Sequence, residues 1–146
     1  MKKSILGSLV GIAIVIAFDS FARVIISLYM NTEILMIAYS SFPGLVWPLL
    51  LTFIAGFAAF FGAMFSLTYG RSHLFTTGLL YLILISALRY GQLHLLIGQE
   101  TLFYPITALF LSIVGAGLAW YLVKKNKPKA EGKKHHDPTP STEETI

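Results

Sequence analysis

Asp19, Arg23, Arg89 and His94 interrupt stretches of sequence that are otherwise mostly apolar. Asp19 and Arg23 are four residues apart, so on a helix they share one face. Holding an Asp or Arg at the centre of a bilayer costs about 2.5 to 3.5 kcal/mol. Such residues therefore pair, turn toward protein or water, and mark candidate ion or substrate sites. At about 1.5 Å per residue, Asp19 lies roughly 21 Å along a helix from Ile5, and Arg89 about 22 Å along one from Leu74. If both helices start at the same face, Asp19, Arg23 and Arg89 reach the same outer third, matched to about one turn. Ser27 and Ser86 fall on the same faces as Arg23 and Arg89.

Two readings of this cluster stand side by side. In one, Asp19, Arg23 and Arg89 form a polar site opening to the outer side, where they meet an ion, a proton or an anionic group. In the other, Asp19 and Arg23 are a salt-bridged pair with Arg23 snorkelling outward, and Arg89 only marks the end of its helix. His94 is a candidate acid–base group, but a lone interfacial histidine is a weak signal. His94 with Glu100 is the one acid–base combination near a single surface.

Other chemistries find no support. The chain has no cysteine, which excludes disulfides and thiolate metal sites. Metal or haem binding needs further ligands at matching depth, and His135-His136 sit among lysines and prolines as a solvated tract. There is no phosphate-binding glycine loop, no HExxH and no GxSxG elbow. The expectation is a non-enzymatic protein with no cofactor and no metal. The net charge of +4 and the pI near 9.4 do not indicate nucleic acid. The excess sits in Lys124, Lys125, Lys127, Lys129, Lys133 and Lys134, directly after an apolar run, where it reads as a topology signal.

The elements that must position these residues follow from composition. Of 146 residues, 55% are hydrophobic and only 12% charged, and the mean hydropathy is +0.72. Soluble domains carry about a quarter charged residues, so this chain lacks the polar surface to cover a globule in water. The apolar runs predict four transmembrane helices over residues 5–30, 48–68, 74–96 and 103–123. Together they make an all-α, up-down-up-down bundle over residues 1–123, followed by a disordered basic tail over 124–146. The first run resembles a signal peptide up to Ser20-Phe21-Ala22, but it continues through Val24-Ile25-Ile26, so a retained helix is expected. The segment Ile34 to Phe42 is too short to span and is expected at the interface. The short Tyr69–His73 connection predicts that the second and third helices are antiparallel neighbours.

Lys2, Lys3, Arg71 and the tail lysines all fall on one side of such a bundle, and Glu33 and Glu100 on the other. This places both termini in the cytoplasm of a plasma (bacterial inner) membrane. Small residues at four-residue spacing predict close packing: Gly7 and Gly11, Ala55, Ala59 and Ala63, Ala58, Gly62 and Ser66, and Ala108, Ser112 and Ala116 beside Gly115. Two such stripes on the second helix predict packing on two of its sides. The expected partners are the bilayer, further copies or other membrane subunits, and anionic headgroups at the lysine tail, worth about 1 kcal/mol per lysine. Function reads first as a membrane subunit that packs with itself or a larger complex. The alternative is a small transporter or channel component using Asp19, Arg23 and Arg89. Protease added outside intact cells is expected to leave the tail after Val123 uncut, and clipping there would overturn the assigned orientation.

Overall fold

The computed structural model describes residues 2–31, 46–96 and 103–126. They form helices α1 (Lys2–Met30), α2 (Val46–Tyr69), α3 (Leu74–Leu96) and α4 (Phe103–Lys125), with a single 3₁₀ turn at Arg71–His73 before α3. All four helices are long and apolar enough to cross a membrane. The expected interfacial segment Ile34–Phe42, the Glu33 and Glu100 connections, and the tail beyond Asn126 lie outside the described residues.

Local chemistry sets the helix ends. Asn31, with φ at 51°, takes the left-handed conformation that follows a helix C-terminus and that asparagine tolerates better than most residues. Pro48 and Pro105 each occupy a first turn, where the missing N–H has no helical partner to lose. Between α2 and α3 the Gly70 N–H reaches back to the Ser66 carbonyl at 2.9 Å, and the Thr77 hydroxyl donates to the His73 carbonyl at 2.9 Å. These bonds close the connection and start α3.

α2 makes its most extensive contacts with α1 and α4, and its slightest with α3. Side-chain size explains the difference. On the α1 side, a Cβ added to Gly11 would lie 2.6 Å from the Gly62 carbonyl oxygen, and one added to Gly7 would lie 2.9 Å from that of Ser66. On the α4 side, a Cβ at Gly115 would meet the Gly56 carbonyl oxygen at 2.5 Å. Ala55 and Ala59 are fully buried on the inner surface of the same helix. Such close backbone approach is how helices associate where apolar burial provides no drive. Toward α3, by contrast, the Tyr81 ring fills the gap, its hydroxyl donating to the Ala59 carbonyl at 2.8 Å. α2 and α3 are thus antiparallel neighbours, as the short connection implies, but in looser contact than the glycine-lined pairs. An aromatic ring holds them apart while the small residues draw α2 onto α1 and α4.

The contact pairs run in consistent order. Gly7 lies by Tyr69 and Tyr29 by Trp47, so α1 and α2 run in opposite directions. Ser8 lies by Thr77 and Asp19 by Arg89, so α1 and α3 run together. Trp120 lies by Phe75 and Ser112 by Arg89, so α4 opposes α3.

Small hydroxyl side chains are buried beside the apolar core, while many large apolar side chains face outward. Buried positions include Ser4, Ser8, Ser27, Thr52, Ser66, Thr77 and Ser112, while Phe53, Phe57, Phe65, Leu28 and Ile83 are exposed. Replacing Gly11 with Ala forces the helices apart, and a loss of about 1–3 kcal/mol is expected. Gly117 has open space around it, so Gly117→Ala is expected to be neutral or to stabilise by up to about 1 kcal/mol. Unfolding by denaturing detergent, followed by helical circular dichroism, separates the two. Equal effects would contradict the close crossing of α1 and α2.

Candidate functional site

Asp19 is the sole acidic residue among the described residues, and it sits on the inner face of α1 with 8% of its surface exposed. Arg89 comes from α3 and is 1% exposed. The two meet as a fork against a fork. Arg89 Nη1 donates to Asp19 Oδ2, and Nη2 donates to Oδ1 at 3.3 Å. Paired, parallel, charge-assisted bonds of this kind are the strongest a guanidinium makes.

The remaining arginine donors are also used. Nη1 donates to Gln92 Oε1 at 2.7 Å, one turn further along α3. Nε donates to the Ser112 hydroxyl of α4 at 3.0 Å. That hydroxyl in turn donates to the Ala55 carbonyl of α2 at 3.4 Å. One hydrogen-bonded network therefore joins α1, α3, α4 and α2. Ser112 and Ala55 are each nine residues from the start of their helices, so the network lies about 14 Å in from that end.

A second polar contact lies one turn further along α1. Arg23 Nη2 donates to the Tyr104 hydroxyl of α4 at 3.3 Å, and its guanidinium carbon lies 5.8 Å from the centre of the Tyr104 ring. Arg23 is half-buried and Tyr104 is buried. Near the same end, Thr52 of α2 shares a 3.1 Å hydroxyl contact with Thr107 of α4.

The residues singled out by sequence are thus divided. Asp19 and Arg89 are brought into direct contact, so Arg89 does more than end its helix. Arg23 is engaged with Tyr104. His94 is exposed on the last turn of α3 and stands outside the network, because two residues beyond Gln92 a helix has turned by more than half a circle. Glu100, its suggested acid–base partner, lies outside the described residues. Gln92, Ser112 and Tyr104 carry roles that sequence reading did not assign them. Ser112 had a usable signal, being the hydroxyl member of a small-residue stripe at the right depth. Among the described residues no three metal-ligating side chains converge.

Comparison with protein families, with curated proteins and with solved structures finds no match to this chain. What the arrangement can do is therefore argued from its chemistry. It neutralises one buried negative charge with one buried positive charge and fixes the register of all four helices. Arg89→Gln leaves the Asp19 carboxylate without its cation, and a loss of about 3–5 kcal/mol is expected. Asp19→Asn is expected to be costly for the mirror-image reason. The double variant Asp19→Asn/Arg89→Gln is expected to lose less than the sum, by about 1–3 kcal/mol. Strict additivity in a detergent-unfolding cycle would show that the two side chains do not depend on each other.

Proposed function

We propose that the protein is a small non-enzymatic subunit of a plasma (bacterial inner) membrane, spanning it as an up-down-up-down bundle with both termini in the cytoplasm. In this reading it packs with further copies of itself or with a larger membrane complex. The observation that carries it is the use of the buried charges. Both Asp19 oxygens are taken by Arg89, and four of the five Arg89 N–H groups are committed to Asp19, Gln92 and Ser112. Polar groups spent on one another hold helices together and leave little to bind a substrate.

The surface supports the membrane part of the proposal. Large apolar side chains face outward on all four helices, an arrangement that water penalises and acyl chains accept. Lys2, Lys3, Arg71, Lys124 and Lys125 gather at one end of the bundle, the distribution expected on a cytoplasmic face. For the assembly part, α2 presents Phe53, Phe57, Phe61 and Phe65 outward at four-residue spacing. An aromatic ridge of this kind offers a neighbouring helix a row of knobs.

A second reading, an ion or proton carrier, draws support from one feature. Arg23 and Tyr104 continue the polar file from Asp19 toward the outer end, so the carboxylate has a second cation one helical turn away.

A photo-reactive residue at Phe57 is expected to crosslink to a second copy or to another membrane protein in intact membranes. Reconstituted vesicles are expected to show no ion flux above protein-free ones. A lone monomer with no crosslinked product would overturn the subunit reading. Flux that disappears with Asp19→Ala would establish the carrier.

A further inference from the structure

The lysine-rich end of the bundle holds a cavity of about 770 Å³ between the start of α3 and the end of α4. Its polar lining comes from Ser72, His73, Thr76 and Lys124, and its apolar walls include Phe75 and Trp120. The walls are set by packing. A Cβ added to Gly78 would lie 3.0 Å from the Trp120 ring, so the indole rests directly on the α3 backbone. Phe75 meets the same indole edge-on, with ring centres 5.8 Å apart.

Charge defines what such a cavity accepts. Arg71 and Lys125 add to the positive charge around it, with Arg71 donating to the Asn126 carbonyl across the same end at 3.4 Å. No carboxylate among the described residues lies near, since Asp19 is eleven residues beyond Ser8, about 17 Å further along the bundle. The lining supplies an ammonium, an imidazole and two hydroxyls, which together can hold a phosphate group.

Size and surroundings narrow the ligand further. A bare inorganic anion would leave most of the volume empty, whereas the volume suits a small organic group. Below the cavity, Phe75, Leu79 and Ile83 form an exposed apolar stripe at helical spacing along α3. A cationic mouth above an apolar track matches a molecule that is anionic at one end and aliphatic at the other. Tryptophan at the boundary suits the headgroup level of a bilayer.

We infer that this cavity is a binding site for one anionic phospholipid, its phosphodiester held by Lys124 with Ser72, His73 and Thr76 and its chains lying along the α3 stripe. The inference rests on the membrane reading above, and it differs from diffuse attraction to the tail by placing one lipid at one position.

The test uses the full chain in nanodiscs of phosphatidylcholine containing a minority of phosphatidylglycerol, with native mass spectrometry of the released protein. One retained phosphatidylglycerol is expected for the wild type. Lys124→Gln is expected to lower that retention about fivefold, the effect of one lysine at the surface, and adding His73→Gln to lower it further. Both side chains are exposed, so unchanged circular dichroism is expected for both variants. Replacing Lys127, Lys129, Lys133 and Lys134 together with Gln is expected to leave retention as it was, and inorganic phosphate is expected not to displace the lipid. Undiminished retention in the Lys124→Gln/His73→Gln variant would overturn the inference. So would loss confined to the tail variant, which points to diffuse attraction, or displacement by phosphate, which points to a free-anion site. Alkaline carbonate extraction keeps the two proposals separate. A chain released from membranes sinks the membrane reading, whereas a chain that stays inserted without retaining anionic lipid sinks only the site.

Discussion

A carboxylate and a guanidinium buried in the same helical bundle must neutralise each other, and the placement of every helix here answers to that requirement. Removing two ions from water costs several kcal/mol for each, and mutual attraction repays this only when the geometry is close and the remaining donors are also satisfied. The Asp19–Arg89 fork meets the first condition, and Ser112 and Gln92 meet the second. Because the partners come from α1, α3 and α4, and Ser112 passes the network on to Ala55 of α2, a slip of one residue in any helix would break part of it. The pair therefore specifies register even where its net contribution to stability is modest.

Close packing makes that pair reachable. Arg89 extends across the bundle only because α1, α2 and α4 are drawn together at glycines, with Gly11 against Gly62 and Gly56 against Gly115. Tyr81 has the opposite effect between α2 and α3, where its ring spaces the backbones while its hydroxyl satisfies the Ala59 carbonyl. Small residues at the α1–α2 and α2–α4 crossings and a large ring between α2 and α3 give the crossings unequal spacing.

Much of this was legible from residue types alone. The four apolar runs became four helices, and the depths counted for Asp19 and Arg89 agreed closely enough to suggest a meeting. The azimuth was not legible. Helical spacing favoured Asp19 with Arg23 because a sequence displays the i to i+4 relation within one helix and conceals which face of another helix turns toward it. The same blindness hid Tyr104 as the partner of Arg23 and left His94 in the cluster, since depth does not distinguish inward from outward. The short α2–α3 connection showed that the two helices are neighbours but not how closely they pack. Loop length bounds how far apart two helix ends sit, but the bulk of Tyr81 decides how closely the shafts pack.

The network also sets the terms for any exchange of charge. A carrier would have to release Asp19 from Arg89 to load a proton or a cation, leaving an arginine buried at 1% exposure with its anion gone. Breaking one partner from a buried pair costs about 3–5 kcal/mol, which corresponds to a population of the open state of about one in 160 to one in 5,000. A substitute contact for either charge lowers that cost. Arg23 lies on the same face of α1 one turn away, and Tyr104 already holds it by a neutral hydroxyl bond, a weaker tie than the charged fork. Opening therefore depends on the contacts that retain Arg23, the Tyr104 hydroxyl among them, as well as on the Asp19–Arg89 pair itself.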